Sequence, residues 1–247
     1  MSIDGSEISN GHRDKKTAAL PVIIPDGAIE VLKWLGLVLM TGDHINKYLL
    51  SEAQPWLFAF GRLTLPIFCF VLAYNLARPG ILESGVYRRL LRRLGFFAIL
   101  ATVPYIALGN LTPGAILFGW WPLNILATLA IAVLCIFFLH RNHSIDKILF
   151  TIVFLIGGAV VEFWWLAITS CIGAWLYCRS SSLTGLFLWV GSTLLLGLIN
   201  NNWWAIIALP IIFMARYITV PVPRAKWIFY IYYPGHLMII WALIKFH

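Results

Sequence analysis

Charge is scarce in this chain. Only 11% of its 247 residues are Asp, Glu, Lys or Arg, and 61% are hydrophobic; a soluble domain carries roughly 25% charged residues. The mean hydropathy is +0.86. These values exclude an ordinary water-soluble domain and leave a polytopic membrane protein organised by the bilayer. Cysteine pairs are missing as well. Cys69, Cys135, Cys171 and Cys178 lie within or at the ends of apolar stretches and form no CxxC, so neither a disulfide framework nor a zinc site is expected. No Gly-rich phosphate loop is present, which argues against an ATP-driven machine. No internal repeat or separate soluble domain is visible. The first 27 residues lack an apolar h-region and are not a signal peptide. They read as a cytoplasmic polar tail, 1–27, ahead of a membrane domain, 28–247.

The expected fold class is all-α, a polytopic transmembrane helix bundle. Nine spans are expected, at 29–49, 57–77, 90–109, 122–140, 146–161, 163–178, 183–198, 203–219 and 227–245. A crossing needs roughly 17–25 residues, so the two halves of 146–178 are short. Gly157, Gly158 and Glu162 support a turn between them, with a re-entrant segment as the alternative. The net charge of +8 reads as topology, not nucleic-acid binding. With the N-terminus inside, the inner segments hold Arg13, Lys15 and Lys16; Arg78, Arg88, Arg89, Arg92 and Arg93; Arg141 and Lys147; Arg179; and Arg216, Arg224 and Lys226. The outer connections SEAQPW, NLTPGAILFGWW, the Glu162 turn and 200–202 contain no Lys or Arg. This alternation gives an N-in, C-out orientation. Trp56, Trp120, Trp121, Trp164, Trp165, Trp203 and Trp204 fall at the outer ends, as interfacial aromatics do.

Against that apolar background, ionisable residues within spans mark candidate chemistry. Glu30, Lys33, Met40, Asp43, His44 and Lys47 recur on one face of the first helix. Glu30 with Lys33, and Asp43 with Lys47, can be intrahelical pairs. A carboxylate beside a histidine deep in a span exceeds what packing needs. Asp43 lies about 20 Å from the inner end and Arg62 about 8 Å from the outer end, so the two meet in the outer half. Arg62 there stabilises the Asp43 carboxylate or an oxyanion. His236 sits mid-span after Pro234 and Gly235, where a kink frees backbone carbonyls, with Tyr232 and Tyr233 one turn before it. Two histidines without a further ligand at i+3 or i+4 make a poor metal site. Asn124 with Thr128, and Asn75, offer polar patches that either bind substrate or bond between helices. Arg88 with Arg92, and Arg89 with Arg93, anchor headgroups or dock a cytosolic phosphorylated donor such as coenzyme A. His140, His143 and His247 lie at ends and receive no role.

The segments KWLGLVLMTGDHINKYLL, FGRLTLPIFCFVLAYNLAR, YRRLLRRLGFFAILATVPY and FYIYYPGHLMII occur in an order and spacing that resembles the TraX family. These are plasmid-encoded membrane proteins of conjugation systems that N-acetylate the pilin subunit. The resemblance runs from about residue 28 to the C-terminus, while 140–220 matches only in hydropathy. There the family often shows an acidic residue and a Tyr-Gly pair, and VEFWW supplies only the acid, Glu162. The family is similar to wider membrane acyltransferases that move an acyl group from cytosolic acyl-CoA to an acceptor across the membrane. The resemblance implies His44 as the catalytic base, Asp43 orienting it and Arg62 supporting the site. It implies acetyl-CoA as donor, a pilin subunit as partner and the bacterial inner membrane as location. His236 joins the catalytic candidates. Lys47, Tyr233, Asn124, Arg88 and Arg92 are the substrate-binding candidates. Membrane lipids are partners; no metal and no nucleic acid are expected. Transfer of another group, such as a lipid-derived glycerophosphate, and a non-enzymatic scaffold or transporter are the competing readings.

Overall fold

A computed structural model describes residues 22–109 and 123–246. Trp120, Trp121, the 110–121 connection, His247 and the basic residues Arg13, Lys15 and Lys16 lie outside the described residues. The chain is a polytopic transmembrane helix bundle. Its helices are α1 (Asp26–Tyr48), α2 (Pro55–Gly61), α3 (Thr64–Ala77), α4 (Val86–Ala107), α5 (Ile125–Arg141), α6 (Ser144–Ala159), α7 (Trp164–Ser180), α8 (Leu183–Asn200), α9 (Ala208–Met214) and α10 (Ile228–Phe246). Each of the nine anticipated segments is helical. Pro55–Ala77, Val86–Ala107, Leu183–Asn200 and Ile228–Phe246 are long and apolar enough to cross a membrane; Ile125–Arg141 and Trp204–Tyr217 are apolar but shorter. The stretch 146–178 is two helices, joined by a turn in which Phe163 and Trp164 adopt positive φ.

Local chemistry sets the boundaries. Asn124 caps α5 by accepting from the Leu126 N–H, and Ser182 caps α8 by accepting from the Gly185 N–H. Asn142 and Ser181 close α5 and α7 in the left-handed conformation, and the resulting tight turns place consecutive helices side by side. The expected second span is broken at Arg62–Leu63. Pro66 has no N–H for the Arg62 carbonyl, and its ring crowds that carbonyl. The backbone tightens instead: Arg62 N–H donates to Ala59 O at 3.2 Å and Leu63 N–H to Phe60 O at 3.1 Å. The carbonyl of Phe58 then accepts from the Arg62 Nε at 3.3 Å.

The interior is apolar around α3, α7 and α8, where Phe70 stacks on the fully buried Trp189 at 5.3 Å. Gly173 and Gly185 let α7 and α8 approach: a Cβ on Gly173 would stand 2.9 Å from the Gly185 carbonyl oxygen. The outer surface is also apolar. Phe96, Ile99 and Val103 on α4, Phe187 and Leu198 on α8, and Ile231 and Ile239 on α10 are exposed, as lipid-facing side chains are. Trp56, Phe60 and Trp204 make consecutive edge contacts at the bundle end nearest Asp43.

Helices α1 and α10 run parallel. Thr41 meets Tyr232 through their hydroxyls at 2.7 Å, and His44 meets His236 at 2.6 Å, so both sequences advance in the same direction.

Candidate functional site

Asp43 and His44 are adjacent on α1, so their side chains leave the helix about 100° apart. That angle sends them to different neighbours. Asp43 turns toward the α2–α3 break and pairs with the Arg62 guanidinium. His44 turns toward α10, where its Nδ1 lies 2.6 Å from the His236 Nε2. The two ring planes are within 5° of parallel and their centroids are 4.9 Å apart. That separation is the N···N distance plus two ring radii, so the rings lie edge to edge in line.

Arg62 is held on several sides. It bonds Asp43, donates from Nη1 to Asn200 Oδ1 at 3.3 Å, and stacks over Phe58 at 4.3 Å. Arg62 and Asp43 side chains are each 15% exposed, so the pair is largely withdrawn from solvent. Gly61 makes the pairing possible: a Cβ there would stand 2.5 Å from both Cβ and Cγ of Asp43. Gly61→Ala is therefore expected to displace the Asp43 carboxylate and lower the unfolding temperature in detergent. The control is Gly95→Ala in α4, where a Cβ meets nothing within 4 Å and helix propensity improves.

One cavity of about 710 Å³ joins this cluster to the other end of α1. At one end its wall carries Arg78, Arg89, Arg93, Arg224 and Lys226; at the other it carries Asp43, His44, Lys47, Arg62 and Glu162. At the basic end Asp26 accepts from Arg78 at 2.5 Å and from Arg224. Arg93 lies over the Trp227 ring at 4.5 Å. Glu30 is buried and pairs with Lys33 at 2.6 Å, the intrahelical contact its spacing allows.

Several expected site residues sit elsewhere. Asn124 is not a ligand group: it is buried, donates to Ala98 O at 2.8 Å and Thr102 Oγ1 at 3.2 Å, and caps α5. Its hydrogen-bonding capacity is used where α4 meets α5. Thr128 likewise donates to the Glu162 backbone carbonyl. In the basic run Arg89, which is exposed, and the half-buried Arg93 line the cavity, while the exposed Arg88 and Arg92 do not. The i,i+4 spacing identified both pairs but not which one lines the cavity. The resemblance gives Asp43 the task of orienting His44; in the fold Asp43 turns to Arg62 and His44 takes His236. Tyr233 and Lys47 do line the cavity, with the Tyr233 ring 6.4 Å from that of His44.

Glu162 and Asn200 were not among the site candidates. A backbone bridge between Leu123 and Val161 carries Glu162 into the wall, where it accepts from the Tyr105 hydroxyl at 2.9 Å. Its sequence signals are an acid between two apolar runs and the acidic residue that the resembled family often shows there. Asn200 reaches Arg62 from the end of α8, across 138 residues of chain. Among the described residues no cluster of three or more His, Cys, Asp or Glu is placed to hold a metal.

The family comparison is decisive over most of the chain: residues 28–244 match the TraX protein family. The chain belongs to the TraX family. It is 32% identical to Protein TraX of Escherichia coli over 106 residues, 43% of this chain and 38% of that protein. Protein TraX of Escherichia coli strain K12 is 31% identical over 106 residues, with the same coverage. The probable fimbrial assembly protein FimC, serogroup H1, of Dichelobacter nodosus is 29% identical over 141 residues, 54% of this chain and 55% of that one. The chain thus spans well under two thirds of these relatives. No solved structure matches this TraX-family chain.

Proposed function

We propose that this chain is an acyltransferase of the bacterial inner membrane. It takes an acetyl group from cytosolic acetyl-CoA and delivers it to the N-terminal amine of a conjugative pilin subunit. The observation that carries this reading is one cavity whose wall holds both the clustered arginines and His44. Phosphates of a nucleotide-bearing donor suit Arg89, Arg93, Arg224 and Lys226. From there the cavity reaches His44, where the donor's thioester arm would end. The relative named for fimbrial assembly favours a filament subunit as acceptor.

In the reaction His44 takes a proton from the attacking amine as the nitrogen–carbon bond forms. Arg62 and Lys47, on the same wall, supply positive potential to the tetrahedral oxyanion. The carbon–sulfur bond then breaks, and His44 returns its proton to the departing thiolate. Arg62 also holds Asp43, so the acid and the cation together keep a fixed field beside the histidine.

The test is the intact mass of pilin made with the wild-type chain or with His44→Ala at equal membrane levels. An acetyl increment that needs His44 is the expected result. A different His44-dependent increment, such as a glycerophosphate, would replace the donor, since the same arginines also suit a lipid phosphate. No His44-dependent increment would overturn the reading. A kinetic split adds to this: Arg89→Gln with Arg93→Gln is expected to raise the KM for acetyl-CoA about tenfold or more. Arg88→Gln with Arg92→Gln should leave that KM unchanged.

A further inference from the structure

We propose that His236 is a positioning residue that fixes the tautomer of His44, and so makes His44 Nε2 the atom that receives the acceptor's proton. This rests on the acyl-transfer reading for the identity of that acceptor. The tautomer itself belongs to the resting protein.

The assignment follows from what each partner is able to do. His236 Nδ1 lies 2.8 Å from the backbone carbonyl of Tyr232. A carbonyl only accepts, so Nδ1 carries the proton. In a neutral ring the other nitrogen then holds a lone pair, and His236 Nε2 is an acceptor. The hydrogen bond to His44 therefore runs from His44 Nδ1–H to His236 Nε2 across 2.6 Å. That leaves His44 with its lone pair on Nε2.

Placement agrees with this order. His44 lines the cavity and His236 does not; His236 is only 6% exposed and stands behind the first ring. The in-line, parallel rings give the bond good geometry. The contact is also indexed one turn away. Thr41 donates to Leu37 O at 2.8 Å, so the Tyr232 hydroxyl donates to Thr41 Oγ1 at 2.7 Å. Tyr232 thus anchors α10 to α1 through its hydroxyl and orients His236 through its carbonyl.

The arrangement does the work that a buried carboxylate does in a Ser-His-Asp triad, where an acceptor on one ring nitrogen fixes the base on the other. A neutral imidazole achieves this without a second buried anion, whose desolvation would be costly in an apolar span. During transfer the proton leaves the amine nitrogen for His44 Nε2, and the imidazolium keeps its Nδ1–H on His236. The proton then passes from Nε2 to the thiolate as the carbon–sulfur bond breaks. Amine and thioester become amide and thiol, and both histidines return to their starting forms.

The experiment is 15N spectroscopy of the full chain, histidine-labelled in lipid nanodiscs, with His44→Ala for assignment. At a pH where both rings are neutral, His44 is expected to be protonated at Nδ1 and bare at Nε2. In His236→Leu that preference should be lost, and kcat should fall by about tenfold or more with the KM for acetyl-CoA unchanged. His236→Gln places a side-chain carbonyl near the position of the lost Nε2 and should restore most of kcat. A wild-type spectrum with the proton on His44 Nε2 would overturn the proposal, as would a His236→Gln variant as slow as His236→Leu. Should His236→Leu fail to fold, the wild-type spectrum and His236→Gln still decide. Absence of acetyl transfer by the wild type would count against the acyltransferase alone and leave the spectrum as its own test.

Discussion

If the chain is the proposed pilin acetyltransferase, membranes carrying His44→Ala are expected to transfer acetyl groups at least about a hundredfold more slowly than those carrying the wild-type chain. A general base contributes on the order of 10²–10⁴ to a proton-transfer step. His44 is the member of the histidine pair that lines the cavity, so in the proposed reaction its loss removes the proton acceptor itself. His236 variants should lose less, because the base is still present though poorly oriented. The ratio of the two effects is informative. Equal losses would mean that the rings act as one unit. A larger loss at His236 would reverse their roles. The readout is the initial rate of acetyl incorporation, at matched protein levels in the same lipid.

The second large effect is expected at the Asp43–Arg62 pair. Arg62→Met leaves the Asp43 carboxylate in a site that is 15% exposed, with its cation gone. Breaking such a buried pair from one side costs about 3–5 kcal/mol. Asp43→Asn should cost less, because the amide oxygen still accepts from the guanidinium. The double variant Asp43→Leu with Arg62→Met should recover much of the loss, since an apolar pair of similar volume is often neutral or better. A double-mutant cycle from thermal unfolding in detergent measures the coupling. Additive losses with no coupling would show that the pair adds little to stability. Activity then separates the roles: recovered stability without recovered transfer would show that Arg62 serves the reaction and not only the fold.

The broad architecture was legible in the sequence. Scarce charge and long apolar runs dictated a helix bundle, because backbone polar groups in lipid must be satisfied within each span. The nine helical segments followed from hydropathy, and the split of 146–178 followed from its paired glycines and its acid. The trio Asp43, His44 and Arg62 was visible because ionisable side chains are costly in lipid and stand out there. His236 was visible for the same reason. The sequence also carried the family, through four motifs in fixed order.

Only the tertiary structure decided who meets whom. Helix depth already brought Arg62 to Asp43; the family resemblance added that Asp43 serves His44, but a 100° step around the helix sends the two to different neighbours. The partner of His44 comes from 192 residues away, and helical periodicity says nothing about such a contact. Asn124 looked like a ligand group until its place at the start of α5 showed the helix using it as a cap. Arg88 and Arg89 were equivalent as letters, and both are exposed; the packing of α4 placed only Arg89 on the cavity wall. Composition and periodicity act along one helix and are written in local sequence. Cavities and hydrogen-bond partners arise from the relative rotation of helices far apart in the chain, which only their joint packing fixes.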